Sequence, residues 1–249
     1  MGAIVHMPQA LLFDVDGTLA DTEGDGHRPA FNATFAAHGL PWHWDRERYR
    51  HLLAEVPGGR ERIVYELRRN PPTTPLPEPL ETFAETLHQE KNQRYAEIVR
   101  SGAIRPRMGI LRLIAEAHAA GTALAIVTTS ARRNVTALLE HAFPPALQGV
   151  FTVMVCGEDV AAKKPDPEAY RLALEQLGLP AAACLAVEDS VNGLRSARAA
   201  GLATLVTRNE WSAGDDFSGA LAVVDHLDER GDGHPVTLEW LAAALAATS

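Results

Sequence analysis

Only two of the 249 residues are cysteine, Cys156 and Cys184, far apart and without a C-x-x-C. A disulfide framework and a thiolate zinc site are both poorly supported, and two buried, reduced thiols are the expectation. No apolar run approaches the roughly 18 residues needed to cross a bilayer, so no membrane partner is expected. Positive charge is in deficit: 23 Lys and Arg against 32 Asp and Glu leave a net charge of −9. Acidity of that size repels phosphate backbones, which argues against nucleic acid as a partner. A small anionic substrate stays compatible, because a bound divalent cation inverts the charge locally. Met1 to Gln9 has no basic region followed by an apolar stretch and a cleavage site, so the expected location is cytoplasmic. There is no internal repeat, no coiled-coil pattern and no obvious dimer seam, and a monomer is expected.

What is present is alternation. Apolar runs with β character lie at Ala10 to Phe13, Thr122 to Val127, Val150 to Val155, Cys184 to Val187, Thr204 to Val206 and Ala222 to Val224. Helical patterns at Ile110 to Ala120, Arg133 to His141, Pro167 to Leu177 and Gly193 to Ala200 fall between them. Gly121, Gly178 and Gly201 stand where C-caps are wanted. This pattern predicts an α/β fold with a doubly wound parallel sheet. Residues 24–102 break the rhythm with helical patterns at Arg28 to His38, Trp44 to Ala54, Arg60 to Arg68 and Leu80 to Arg100, and no convincing strand. They read as a helical cap inserted into a core made of residues 1–23 and 103–249. Five prolines from Pro71 to Pro79 make a stiff connection inside the insertion.

Four segments carry chemistry. The strand at Ala10 to Phe13 runs into Asp14-Val15-Asp16-Gly17-Thr18, two carboxylates spaced i, i+2 and a glycine free to turn. Ligands of open α/β sheets bind beyond the carboxyl ends of strands, where Asp14 and Asp16 would lie. Alone, D-x-D is equally an Asx-turn. Thr128, Thr129 and Ser130 follow the next strand, though such residues also cap helices. Lys163-Lys164-Pro165 precedes a helix, and a solvated lysine is the ordinary alternative. Glu188-Asp189-Ser190 follows the strand at Cys184, where Asp189 or Ser190 could merely cap the next helix. Together they set carboxylate, hydroxyl, cation and carboxylate along one predicted sheet edge, which unrelated turns would rarely do.

These segments, in this order, resemble the haloacid dehalogenase superfamily of phosphotransferases, whose pattern is D-x-D-x-[TV], then S/T, then K, then an acidic pair. The insertion after the first strand is similar to the helical cap of the subfamily that includes phosphoglycolate phosphatase and β-phosphoglucomutase. The resemblance implies a HAD-like core in which Asp14 is the nucleophile, forming an aspartyl-phosphate. Asp16 would protonate the leaving oxygen and then deprotonate water. It implies Mg2+ held by the Asp14 side chain, the Asp16 carbonyl and Asp189, with Glu188 beside them. Thr128 and Lys164 would hold the transferring phosphate. Lys164 is preferred to Lys163 because the family's lysine directly precedes proline. Asp16 argues against carbon–halogen hydrolysis, since true dehalogenases lack it. A phosphonatase would need a Schiff-base lysine in the cap, and the only cap lysine, Lys91, is expected to face solvent.

Within the cap, the glycines of Glu23-Gly24-Asp25-Gly26-His27 are candidate hinges, and His27 loosely matches a subfamily histidine that faces the reaction centre. Gly58-Gly59-Arg60-Glu61-Arg62 combines close backbone approach, a helix start and two arginines, suited to a second anion. That segment resembles the G-G-K-E-R signature of CbbY-type sugar-phosphate phosphatases. So do D-T-E-x-D-G-H-R at Asp21 to Arg28, W-x-W-D at Trp42 to Asp45, T-T-S at Thr128 to Ser130 and D-F-x-G-A at Asp216 to Ala220. The resemblance implies xylulose 1,5-bisphosphate as substrate, with the core taking the phosphate to be cleaved and Gly58, Gly59, Arg60 and Arg62 the distal one. Glu23, His27, Thr129, Ser130 and Asn192 complete the candidate substrate contacts. Arg60 and Arg107 depart from the lysine and glycine usual there. The alternatives are a phosphomutase resembling β-phosphoglucomutase and a non-catalytic sugar-phosphate-binding protein.

Overall fold

The computed structural model describes residues 7–247; residues 1–6, which carry most of the leader expectation, lie outside the described residues. Six parallel strands form one sheet in the order β3-β2-β1-β4-β5-β6. They are β1 (Ala10–Phe13), β2 (Ala123–Val127), β3 (Val153–Val155), β4 (Cys184–Glu188), β5 (Ala203–Thr207) and β6 (Ala222–Val224). Every residue of β1 is buried, as befits a central strand covered on both faces. Phe13 stands opposite Ile126 on one side and Val187 on the other. The chain winds outward from β1 in one direction and then, from β4, in the other. The switch point therefore lies between β1 and β4, where open α/β sheets place their ligands.

Alternate residues of the strands face two separate cores. Leu11, Phe13, Leu124, Ile126, Leu185 and Val187 pack toward α5 (Ile110–Ala119), α6 (Arg132–Ala142) and α9 (Leu238–Ala246). Ala10, Leu12, Ala125, Val127 and Ala186 pack toward α7 (Glu168–Leu177) and α8 (Val191–Ala199). The residues on this second face are smaller, and Tyr170 fills the space they leave. Helix α9 is absent from the sequence reading, although Thr237 signals it by accepting from Trp240 N.

The insertion is helical, as expected: α1 (Arg28–Ala37), α2 (Arg46–Glu55), α3 (Gly59–Arg69) and α4 (Leu80–Arg100). Helix α2 starts two residues later than the periodicity suggests. Asp45 caps it by accepting from Arg48 N at 2.8 Å, and Trp44 N is instead donated to Asn32 Oδ1. An aromatic cluster of Phe31, Phe35, Trp44 and Tyr49 fills the interior together with Leu52, Ile63, Leu67 and Leu87. Among the described residues, no helix is long and apolar enough to cross a membrane.

Arg107, the departure from the family's glycine, is largely buried and has a structural task. It donates to the carbonyls of Gly17 (2.5 Å), Thr207 (2.8 Å), Arg208 (2.8 Å) and Asp225 (2.7 Å), tying the turn after β1 to the ends of β5 and β6. Carbonyls left without this donor lose charge-assisted bonds worth about 1.5–3 kcal/mol each, offset in part by water. Replacing Arg107 with Met is expected to lower stability by about 3 kcal/mol, read as a lower urea midpoint with an unchanged slope.

Candidate active site

The four segments converge at one sheet edge. Asp14 leaves the end of β1, Thr128 the end of β2 and Asp189 the end of β4, while Lys164 comes from the segment before α7. Lys164 Nζ donates to Asp14 Oδ1 at 2.7 Å, to Glu188 Oε1 at 2.6 Å and to the Val127 carbonyl at 2.7 Å. All three of its protons are thereby placed. Burial opposes the lysine's charge, but Asp14 and Glu188 outweigh it and hold the ammonium above its ordinary pKa. Lys163 points elsewhere, donating to Glu61 Oε1 of the cap at 2.7 Å. The preference for Lys164 over its neighbour thus has a geometric basis.

Asp14, Glu188 and Asp189 each bring a carboxylate oxygen within 4.8 Å of the others, and all three are buried. Burial, with repulsion from Glu188, pushes Asp189 up to about 8, against the pull of Asn209, Arg107 and Lys164. Burial also raises Asp14 well above the carboxylate range, Lys164 notwithstanding. Crowded hard oxygens whose negative charge is this unfavourable fit a divalent cation, which would restore their ionised forms. Two glycines leave room for the cluster. A Cβ on Gly193 would collide with the Glu188 carboxylate, and one on Gly17, at φ +88°, with Asp189. Tyr170, fully buried, donates to Glu188 Oε1 at 2.6 Å. Ser190 is the cap of α8, accepting from Gly193 N at 3.0 Å, which leaves Asp189 free of that duty.

Asp16 lies in a different environment. It accepts from Thr22 at 2.6 Å, from Ser130 through a short bond and from His27 Nε2 at 2.8 Å. Burial opposes its charge, but His27 and the two hydroxyls prevail and hold Asp16 well below the ordinary carboxylate value. His27 Nδ1 in turn lies 2.7 Å from Lys91 Nζ, and the imidazole stacks on Tyr95 at 4.0 Å. His27 and Ser130 therefore meet Asp16. Thr128 Oγ1 accepts from Ser130 N at 3.1 Å, and Thr128 is buried and, unlike Thr129, does not line the cavity.

The solvent-facing position expected for Lys91 is overturned: the residue is 3% exposed, between the Phe31 and Tyr95 rings. The helix looks polar because its charged residues occupy three sides, and the fourth carries Lys91 inward. Burial depresses its pKa to about 7, against the pull of Glu23 and Asp16. An unreactive, solvated amine no longer argues against Schiff-base chemistry, but Lys91 does not line the cavity, where a carbonyl substrate would have to reach it. Gly24 and Gly26 also differ from expectation. Neither has a positive φ; they occupy a helical turn, Glu23–His27, where a Cβ would press Trp211 (3.2 Å) and Tyr95 (2.9 Å) respectively. Close packing, not hinge freedom, calls for glycine there.

A cavity of about 510 Å³ opens over Asp14, Asp16, Lys164 and Asp189, and Glu23, Arg62, Thr129 and Asn192 share its lining. Arg60 requires a correction, since it pairs with Glu85 at 3.1 Å and faces a second cavity. Two positions along a helix turn the side chain by about 200°, so Arg60 and Arg62 diverge. Gly58, at φ +96°, and Gly59 lie outside the first cavity's lining and permit contact with the Glu61–Lys163 pair and with His88. Sequence reasoning missed Arg50 and Arg195, which line the first cavity and make no ion pair or hydrogen bond within the described residues. No motif marks them. Glu23, a candidate contact, accepts from Tyr49 at 2.5 Å.

Residues 8–201 match the model of the haloacid dehalogenase-like hydrolases. The chain belongs to that family. It is 50% identical over 212 residues to Protein CbbY of Rhodobacter capsulatus, covering 85% of this chain and 90% of that protein. It is 47% identical over 227 residues to the plasmid-borne Protein CbbY of Cupriavidus necator, covering 91% and 89%. The crystal structure of CbbY from Rhodobacter sphaeroides in complex with phosphate superposes with a TM-score of 0.83 at 45% identity, covering 90% of this chain and 97% of that one. A mutant of that protein, solved in complex with xylulose-(1,5)bisphosphate, gives the same TM-score of 0.83 at 44% identity. The HAD-like α/β core and the hydrolase class of the present chain follow from these likenesses.

The depressed Lys91 pKa has a pH consequence. Below pH 7 the amine is protonated in both folded and unfolded chains and the full cost of burying its charge is present; above about 10.5 neither carries the charge and the cost is gone. The stability of the wild type relative to Lys91→Met is therefore expected to rise between pH 7 and 10.5, in thermal melts of both proteins across that range.

Proposed function

We propose that the chain is a magnesium-dependent phosphatase that hydrolyses a small sugar bisphosphate, best matched by xylulose 1,5-bisphosphate, through an aspartyl-phosphate on Asp14. One observation carries this reading: a single cavity is lined both by the acidic cluster with Lys164 and by Arg50, Arg62 and Arg195. Three arginines around one cavity, beyond the lysine of the acidic cluster, suit a second phosphate. The phosphate and the xylulose-(1,5)bisphosphate bound in the similar CbbY structures agree with this chemistry.

Asp14, Asp189 and the Asp16 carbonyl would hold Mg2+, with Glu188 beside them. When bound, the ion neutralises charge on the phosphoryl oxygens and leaves the carboxylates ionised. A carboxylate oxygen of Asp14 attacks phosphorus as the bond to the sugar oxygen breaks, and Lys164 opposes the growing charge. Asp16 gives its proton to the departing oxygen and takes one from the water that then cleaves the aspartyl-phosphate. Without substrate Asp16 is held ionised, so it has to gain a proton as anionic phosphate arrives. The line Lys91–His27–Asp16 offers that proton a buried route. Residues 24–102 act as the lid that excludes water from these steps. Arg62, placed by its bond to the Val56 carbonyl, reads the distal phosphate with Arg50 and Arg195.

Phosphate release from mono- and bisphosphates of five- and six-carbon sugars, with and without Mg2+, tests the reading. Metal-dependent release from a ketopentose bisphosphate is expected, and Asp14→Asn should abolish it. Interconversion of monophosphate isomers without release would favour a mutase, and binding without turnover a silent binding protein. Arg62→Ala is expected to raise KM for the bisphosphate by about thirtyfold, as for loss of one charged hydrogen bond, while changing KM for a monophosphate little.

A further inference from the structure

The segment that follows β5, residues 208–215, makes contacts in two directions. At its root, Asn209 Nδ2 donates to Asp189 Oδ2 at 2.8 Å and to the Gly17 carbonyl at 3.2 Å. Asn209 Oδ1 accepts from Trp211 N at 2.8 Å and from Ser212 N at 3.2 Å, so the same side chain fixes the course of the segment. At its tip, Trp211 leaves the core and packs against the aromatic cluster of the cap. Its ring meets Tyr49 edge-on at 5.7 Å, and Arg46 lies over it at 5.2 Å while bonding to Glu210. Arg107 anchors the preceding residue through the Arg208 carbonyl, so displacement of Trp211 cannot be absorbed by the root and has to act on the Asn209 side chain.

We infer that Asn209 is a positioning residue that couples docking of the cap, through Trp211, to the orientation of Asp189 for the metal. The inference rests on the proposed role of Asp189 as a metal ligand. With Trp211 seated on Tyr49, the segment holds the Asn209 amide against Oδ2, while Thr18 Oγ1 donates to Oδ1 at 3.4 Å, and Asp189 keeps the position that sets one of its oxygens within 4.8 Å of those of Asp14 and Glu188. With Trp211 withdrawn, the amide is free to turn and the carboxylate keeps only the longer bond from Thr18. A coupling of this kind is reciprocal: a docked cap tightens metal binding, and bound metal tightens cap docking to the same degree. The segment also lines the cavity at Trp211, Ser212 and Asp215, so the coupling operates at the substrate's own boundary.

Mn2+ affinity of the substrate-free protein, measured by titration with paramagnetic detection, tests this without any turnover. Asn209→Ala is expected to weaken Mn2+ binding about tenfold. Trp211→Ala, which removes no atom in contact with Asp189, is expected to weaken it about fivefold, and Trp211→Phe to restore most of the loss. Arg46→Ala, an exposed cap residue whose removal leaves the cores intact, should weaken it about twofold. In hydrogen exchange, Mn2+ should slow the amides of residues 211–215 in the wild type and not in Asn209→Ala. Unchanged Mn2+ affinity in both Trp211→Ala and Arg46→Ala, with Asn209→Ala weakened, would overturn the coupling and leave Asn209 a local ligand support. An unchanged affinity in Asn209→Ala would overturn the inference entirely. A protein that binds Mn2+ normally but hydrolyses no sugar phosphate would instead overturn the proposed reaction.

Discussion

Three buried carboxylates share the space within reach of one lysine, and much of the architecture around the site follows from that electrostatic debt. Lys164 can satisfy Asp14 and Glu188 together only because β1 and β4 are neighbours and present their ends side by side. Tyr170 adds a second donor to Glu188 from α7, and its size explains why the strand residues on that face are mostly alanine, valine and cysteine. Gly193 and Gly17 are required by the same crowding, since either Cβ would displace a carboxylate. Asp189 receives Asn209 but no cation of the protein at bonding distance, and it is the carboxylate driven to about 8. One more positive charge is what this arrangement calls for, and a divalent ion supplies it without a further side chain.

Asp16 is two residues from Asp14 and yet shifted the opposite way. The difference is one of partners. Asp14 competes with two other carboxylates for a single ammonium, whereas Asp16 has two hydroxyls and an imidazole to itself. Two adjacent carboxylates with opposed proton affinities are what a nucleophile and an acid–base pair require, although the resting order is inverted. Bound metal and phosphate would reverse it: a cation beside Asp14 lowers its proton affinity, and an incoming anion raises that of Asp16.

The sheet and the core of the site were legible because both are written in local pattern. Buried parallel strands appear as short apolar runs, and every signature segment but that of Lys164 follows such a run directly, so knowing the strands places Asp14, Thr128 and Asp189 at one edge. The cap was legible only as helices. Which face of a helix meets the site depends on how it packs, and Lys91 shows the consequence: a lysine among polar neighbours reads as solvated until the surrounding Phe31, Tyr95 and His27 are known. The divergence of Arg60 and Arg62 was available from helical geometry alone. Arg50 and Arg195 were not, because they come from α2 and α8, remote in sequence, and nothing local marks either one. Helix α9 carries a cap signal at Thr237 and follows β6, but the Asp225 to Val236 stretch between them separates it from the strand pattern that located the other helices.

The seam between cap and core suggests how a lid of this kind can open without unfolding. The cap's upper cluster, with Phe31, Trp44 and Leu52, is a hydrophobic body separate from the two that cover the sheet. Tyr95 and Val99, near the end of α4, belong instead to the sheet's own core and anchor the cap at its base. Across the rest of the seam the contacts are polar and paired: His27 with Asp16, Glu61 with Lys163, and Asn134 Nδ2 with Asn92 Oδ1 at 2.9 Å. Polar pairs of this kind can exchange their partners for water, which apolar surface cannot. Trp211 is the apolar exception, and its withdrawal from the cap exposes ring surface that water does not compensate. The docked position of the cap is thus specified by polar matching and favoured by one aromatic contact.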